Sequence, residues 1–499
     1  MRRAAILVLL AAAATAAAAV SAGGARAGTI VALAPGAPVP PGAKPVAPRL
    51  RMWLVPDRVA ARLDGVVASG PNRRVEPLGR EVDPLEGGEW WLDAVGADGV
   101  QPPGPGKLVA IVDSGVDASH PELSAAHLLL LNAQRTQPGP EEHHGTAVAS
   151  IVGAPADGRG MVGVYPGAAL AAYDTGAQTL ADVLGGIGAA LEQPGPGVIN
   201  LSVGFRGPAG ADLLRIGVDS AVAAGWLVVA AAGNSGSRTP VYPAALPHVL
   251  TVAATDRNDA VAAFSTRSPA IDLAAPGVGI LAAVPTWKDP SGFATLSGTS
   301  FAAPIVSGAA AWLWTSRPAL DATQVAELLR RSATDIDLPR FDDASGWGLL
   351  SIPAALGGRA PIRDPQEPND DVDLVAAGGL FTVGTPPLVD ARLVHTRVAA
   401  RLDRAEDPAD LYRVFVPAGR ELVAGVDRGQ GVQLAIWGPH ARSLGEGEAK
   451  RRRDLISSGR TVRTRNVSRK GAYYYLAATL RPETRHATYL VSVSLRGPR

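Results

Sequence analysis

Between Lys107 and Leu356, short and almost unbroken apolar runs alternate with Ala-rich stretches of helical character. Leu108 to Val112, Val198 to Leu201 and Leu227 to Ala231 do not alternate apolar with polar residues, as a strand with one wet face would. Runs of this length and kind predict strands buried on both faces. With helical segments between them, they predict an α/β domain in which helices cover both faces of a parallel sheet. Functional groups in such sheets gather beyond the carboxyl ends of the strands. Here Asp113 and Ser202 follow two of the runs directly, and Gly233-Asn234 follow the third after Ala232.

On either side the pattern changes. Gly357 to Asp371 is rich in Pro, Gly and Asp and reads as a linker. Beyond it, Tyr489, Val491, Val493 and Leu495 alternate with polar residues, and Leu411 to Val416 and Tyr473 to Ala477 are further strand candidates. A C-terminal all-β sandwich is expected there. Upstream, Gly28 to Pro48 reads as a flexible leader without a core. Leu50 to Leu54 is extended, Asp57 is placed as the N-cap of a short helix with Val59, Leu63, Val66 and Val67 on one face, and a second extended piece falls around Val75. This strand-helix-strand unit is a candidate propeptide. At the start, Arg2 and Arg3, the apolar run Ala4 to Val20 and the small residues ending Ala25-Arg26-Ala27 predict a signal peptide cleaved after Ala27. The run is near the minimum length for a membrane span, which leaves an uncleaved anchor as the alternative. The expected organisation is a signal peptide over 1–27, leader and short propeptide over 28–88, the α/β domain over 89–357, a linker over 358–370 and the sandwich over 371–499.

Composition narrows the chemistry. Of 499 residues 47% are hydrophobic, enough for buried cores, and 47 basic against 46 acidic residues give no global field to attract nucleic acid or an anionic membrane. Lys450 to Arg453, with further arginines to Arg469, is a local exception that reads as a solvated loop. There is no cysteine, which excludes disulfides, thiolate metal sites and a cysteine nucleophile.

Three polar motifs stand at the edges of elements. Asp113 lies in Val112-Asp113-Ser114-Gly115-Val116-Asp117, His144 in His143-His144-Gly145-Thr146-Ala147, and Ser300 in Ser297-Gly298-Thr299-Ser300-Phe301-Ala302-Ala303-Pro304 ahead of a run of alanines. Singly, each has a bland reading: a loop aspartate, a surface histidine, a helix N-cap. A serine at that position is equally a nucleophile held at the positive end of a helix. The combination, in the order Asp, His, Ser and with Ala232-Gly233-Asn234 ending another buried strand, favours the chemical reading.

Together these segments resemble the motifs of the subtilisin-like serine proteases, the subtilases, whose chain order is the same. The similarity runs from about Glu89 to Leu356 and includes Ser119-His120-Pro121-Glu122-Leu123, Val198-Ile199-Asn200-Leu201-Ser202, Ala274-Ala275-Pro276-Gly277 and Gly346-Trp347-Gly348-Leu349. The resemblance implies a subtilisin-like parallel sheet and a secreted serine endopeptidase. In that scheme Ser300 attacks the peptide carbonyl, His144 is general base and acid, Asp113 orients His144, and Asn234 with the Ser300 N–H stabilises the oxyanion. His143 and His120 compete for the base role, but only His144 matches the family motif. Ser202, Val203, Gly204, Ala231, Ala232 and Gly233 match the segments lining the pocket for the residue before the scissile bond; all are small, which implies an open apolar pocket. A cleft-edge strand is expected near Gly176 to Leu180, in abbreviated form. No metal or other cofactor is required for the chemistry; structural calcium is possible but not supported by the sequence, since the loop Gly153 to Gly160 offers a single carboxylate, Asp157, a poor site for that cation. The expected partners are polypeptides, the expected state a monomer outside the cytoplasm without a stable membrane span after signal cleavage.

Glu367-Pro368-Asn369-Asp370, Asp410 to Gly419 and Gly471 to Tyr475 resemble, in order, the bacterial pre-peptidase C-terminal domain, a β-sandwich appended to secreted proteases. A catalytically silent scaffold and a serine esterase of another fold are the competing classes. The first would lack a member of the catalytic set; the second would carry a Gly-x-Ser-x-Gly elbow, which is missing around Ser300.

Overall fold

In the computed structural model, which describes residues 29–71, 83–124, 126–135, 143–176, 178–378, 384–444 and 454–497, the run Thr29–Leu33 forms the first strand (β1). With β2 (Lys44–Ala47), β3 (Met52–Val55) and β4 (Val66–Pro71) it builds an antiparallel sheet in the order β2-β3-β1-β4, within a unit that comprises residues 1–80. Val31, Leu33 and Val55 form its buried core. The stretch expected to be a coreless leader therefore supplies two of the four strands. Its signal was the β-branched run at Thr29 to Val31, with buried Val31 and Leu33 on one face. The helix is a single turn, Asp57–Ala60, and Asp57 lies inside it, with Pro56 at the cap position. Asp57 Oδ1 accepts a bond from Thr29 Oγ1 instead. Gly65, at φ +75°, ends the turn, and the β-branched Val66 and Val67 enter β4 rather than a helix face. Residues 1–28, Val75 and Lys450 to Arg453 lie outside the described residues.

The second unit, residues 81–499, contains the expected α/β architecture. Its central sheet takes in, by chain order, β5 (Leu108–Asp113), β6 (His127–Leu130), β7 (Ala169–Asp174), β8 (Val198–Leu201), β10 (Leu227–Ala231), β12 (Val249–Thr255) and β13 (Leu273–Pro276). The spatial order is β13-β12-β10-β8-β5-β7-β6, and the pairs are parallel. Two short antiparallel pairs complete it, β9 (Phe205–Arg206) with β11 (Val241–Tyr242) and β14 (Ile280–Ala283) with β15 (Phe293–Leu296). The unbroken apolar runs follow from burial on two sides. Val109 and Ile111 pack among residues of the helices His144–Gly153 and Thr299–Ser316, whereas Ala110 and Val112 pack among those of Leu180–Leu191 and Ala211–Ala223. After β5 the chain turns to one side for β6 and β7 and then crosses to β8 on the other. The carboxyl ends of β5 and β8 thus flank a topological switch point, where open sheets of this kind form their clefts.

The C-terminal strands are β16 (His395–Asp403), β17 (Ala409–Val416), β18 (Glu421–Arg428), β19 (Val432–Trp437), β20 (Leu455–Gly459), β21 (Thr461–Arg465), β22 (Ala472–Leu480) and β23 (His486–Arg496). They form two antiparallel sheets, β16-β23-β18-β21 and β17-β22-β19-β20. Tyr489, Val491, Val493 and Leu495 of one sheet and Tyr412, Val414, Leu434 and Leu476 of the other share a core, as expected of a sandwich.

Charge joins the sandwich to the α/β domain. Arg330, in the last turn of the helix Ala322–Arg331, is 94% buried and donates through Nε to Asp272 Oδ1 at 2.7 Å and through Nη2 to Glu406 Oε2 at 2.6 Å. Glu406 belongs to the turn between β16 and β17. The preceding Pro/Asp-rich segment is not a solvated tether, since Asp364 and Asn369 are buried within it. Replacing Arg330 by Met should lower the unfolding free energy of the full chain by about 3–5 kcal/mol, because two carboxylates would stay buried without their cation. Urea denaturation in a Ser300→Ala background, which excludes self-digestion, measures it.

Candidate active site

Asp113 ends β5 and is fully buried. Thr175 fixes its backbone, donating to Asp113 O from both N (2.8 Å) and Oγ1 (2.9 Å). Ser114 N donates to Asp113 Oδ1 at 2.7 Å, and His144 Nδ1 donates to the same oxygen at 2.7 Å. A carboxylate only accepts, so this contact places the proton on Nδ1 and leaves Nε2 as the acceptor. His144 opens the helix His144–Gly153, and Gly145 has a packing reason. A Cβ there would lie 2.0 Å from Ser114 O. Gly145 N donates to Ser114 Oγ and Asp117 N to Thr146 Oγ1, each at 2.9 Å, so the two motifs are stitched together along their length. The competing histidines have structural tasks. His120 contacts Gly292 O through Nε2 at 2.9 Å and accepts from Glu122 N through Nδ1 at 3.2 Å, while His143 meets Trp287 edge-on.

Ser300 is the second residue of the helix Thr299–Ser316. Pro304, four residues on, has no N–H to give to the Ser300 carbonyl, which would be stranded in an ordinary helix. Ser202 Oγ donates to it at 2.8 Å, Asn200 Nδ2 donates to Ser202 Oγ at 3.0 Å, and Ser307 Oγ donates to Asn200 Oδ1 at 2.9 Å. This buried polar chain bolts the end of β8 to the helix. Ser300 Oγ itself donates to Ser202 O at 3.2 Å. Asn200 and Ser307 are functional supports not singled out by their chemistry in the sequence, although a lone amide inside an apolar strand was a visible signal.

Asn234 follows β10. Its Oδ1 accepts from Thr299 N (2.8 Å) and Thr299 Oγ1 (2.9 Å), which fixes the amide orientation and leaves Nδ2 as its donor group. His144, Ser202, Val203, Gly204, Ala231, Gly233, Asn234 and Ser300 line one cleft of about 350 Å³. Ala232 differs from the expectation: strand alternation turns its methyl into a cluster with Ala253, Ile271 and Ala274. Among the described residues no strand forms over Gly176 to Leu180 either. Gln178 is a turn residue at φ +55°, and a capping box between Thr179 and Asp182 starts the helix Leu180–Leu191, which brings Gln178 and Leu180 to the cleft. Ala177 lies outside the described residues.

Sequence comparison relates the chain to known proteins. Residues 104–348 match the subtilase family profile. Subtilisin DY of Bacillus licheniformis is 36% identical over 271 residues, which cover 53% of this chain and 94% of that protein. The chain belongs to the subtilase family. Subtilisin E of Bacillus subtilis (strain 168) is 35% identical over 256 residues, 50% of this subtilase and 65% of that protein. A crystal structure of a psychrophilic subtilisin-like protease from the Antarctic psychrotroph Pseudoalteromonas sp. AS-11 superposes with a TM-score of 0.48 at 20% identity, over 54% of this chain and 96% of that one. Its family and its subtilisin relatives make the protein a serine-type endopeptidase acting on polypeptides. Among the described residues no helix is long and apolar enough to cross a membrane.

Two carboxylate groups in this subtilase escaped the sequence reading because their members are scattered along the chain. Glu89 and Glu122 are buried beside the loop after the histidine helix, where Glu89 Oε2 accepts from Val162 N at 3.1 Å. Asp83 is buried there too and accepts from Arg159 N at 2.9 Å. Burial pushes the carboxyl of Glu89 up to about 8 and that of Glu122 to about 7, and neighbouring acids add to both. In the sandwich, Asp364, Glu367, Asp407 and Asp410 bring oxygens within 4.8 Å of one another. Asp364 Oδ1, Glu367 Oε2, Asp407 Oδ1 and Asp410 Oδ1 are buried without a hydrogen-bond partner. Such an all-oxygen set suits a hard cation. His248 of the α/β domain borders it, 2.7 Å from Asp370 Oδ2 and 3.7 Å from Glu367 Oε2.

The polar chain behind the nucleophile carries its own consequence. Ser202→Ala leaves the Ser300 carbonyl without its side-chain donor and should cost about 1–3 kcal/mol of stability, read by urea denaturation in the Ser300→Ala background.

Proposed function

We propose that this subtilase cleaves peptide bonds through an acyl-enzyme on Ser300. The observation that carries the reading is the 2.7 Å contact between His144 Nδ1 and Asp113 Oδ1, in a cleft also lined by Ser300 and Asn234. A serine hydroxyl is too weak an acid to attack an amide unaided, so His144 Nε2 takes its proton and later returns it to the leaving amine. Asp113 holds the tautomer and stabilises the imidazolium. The Ser300 N–H, near the positive end of its helix, and Asn234 Nδ2 face the developing oxyanion. The substrates are flexible polypeptides outside the cytoplasm. Supporting export are the paired arginines, the apolar run and the small residues before Gly28, and residues 28–88 act as leader and propeptide. A fluorophosphonate probe should label the wild type but neither Ser300→Ala nor His144→Ala, with casein cleavage lost in parallel. Labelled wild type that leaves casein and shorter peptides intact would sink the endopeptidase reading. Asn234→Ala should lower turnover about 10²–10³-fold, the magnitude known for removing such a donor from a subtilisin.

A structural role for calcium is proposed as well. The sandwich group Asp364, Glu367, Asp407 and Asp410 would hold the ion, its buried lone oxygens being the support for this. Calcium would supply charge compensation and no chemistry to the reaction. Chelation with EGTA should lower the melting temperature of the Ser300→Ala protein. At free calcium about 100 times its dissociation constant the ion contributes about 2.7 kcal/mol. Asp407→Asn combined with Asp410→Asn should abolish the response; an equal response in the double variant would place the ion elsewhere.

A further inference from the structure

The two segments matched to the substrate pocket end in glycines, Gly204 on one wall and Gly233 on the other, and the sequence alone suggests an open space between them. The structure fills it. A Cβ on Gly204 would come within 2.9 Å of Val241 Cγ1, and a Cβ on Gly233 within 2.8 Å of Val241 Cγ2. The two methyl groups of one side chain therefore abut both glycines, and the isopropyl group bridges the walls. Val241 is held there firmly. It is 92% buried, β11 pairs it with Arg206 of β9, and its neighbour Tyr242 stacks on Phe205 with ring centroids 6.0 Å apart. Gly233, at φ +97°, cannot yield to a larger residue without backbone strain, which fixes that wall. Val241 also lines the same cleft as Ser300 and Asn234.

We infer that Val241 is the floor of the pocket beside Ser300 and limits the residue before the scissile bond to small side chains, alanine and serine above all. This rests on reading the cleft as the peptidase site. A leucine or phenylalanine would need the volume that the isopropyl group occupies, and a packed strand pair cannot withdraw it cheaply. Hydrophobic pockets discriminate by roughly 10–200-fold per methylene, so the exclusion should be visible in kcat/KM.

Tetrapeptide p-nitroanilides differing only in the last residue, Ala, Leu or Phe, test this on the full-length protein. Wild type should prefer Ala over Phe by about 100-fold in kcat/KM. Val241→Gly should shift the Phe/Ala ratio toward Phe by at least about tenfold, with Leu following. Val241→Ala, which keeps the strand pair and guards against misfolding of the glycine variant, should give an intermediate shift. A wild type that cleaves Phe as well as Ala, or a ratio unmoved in the folded variants, overturns the assignment. Failure of wild type to cleave every peptide overturns the peptidase reading instead.

Discussion

The rest of the molecule depends on one constraint, that the parallel sheet is buried on both faces. Strands so enclosed leave little place for polar side chains except at and beyond their ends, and the crossovers between parallel strands bring the helices back over the sheet. Asp113 leaves β5, Ser202 leaves β8 and Asn234 follows β10, all at one edge. The helices bearing His144 and Ser300 begin at this edge, so two residues 156 positions apart line one cleft. Hydrogen bonds then replace the precision that loops lack: Thr175 on Asp113, Ser114 on Gly145, Thr299 on Asn234.

Much of this was legible because burial leaves a mark on composition. Leu108 to Val112 announced a strand covered on two sides, and the Asp, His and Ser motifs stood where strands and helices meet. The sandwich was legible in the alternation of Tyr489, Val491, Val493 and Leu495. What failed depended on partners distant in sequence. Thr29 to Leu33 looked like leader because a strand at the start of a chain reveals its pairing only through β3 and β4. Ala232 looked like a pocket residue until alternation was counted from its neighbours. Glu89 and Glu122, or Asp364 and Asp410, have no common spacing, so no motif joins them. Val241 was hidden in the same way, for nothing in a short Pro-Val-Tyr-Pro segment says which gap its side chain fills.

The second unit also shows electrostatics used as architecture. Arg330 lies between carboxylates contributed by the α/β domain and by the sandwich, and His248 borders an acidic group belonging to the sandwich. Contacts of this kind add little net stability over a well-packed apolar contact, but losing one partner is costly because it leaves the other charge buried alone. The face between the domains is therefore matched by charge and geometry where Arg330 and His248 meet their carboxylates.

The missing N–H of Pro304 reaches further than a local irregularity. Because Ser202 takes its place beneath the Ser300 carbonyl, and because the Ser300 hydroxyl leans on the main chain of the same serine, one side of the pocket and the hydroxyl are tied together by two hydrogen bonds. Remodelling that side disturbs rate and selectivity together. The isopropyl group of Val241 abuts Gly204, which continues from that same serine, as well as Gly233 across the gap, so a change in its size reaches both walls of the pocket without removing a hydrogen bond.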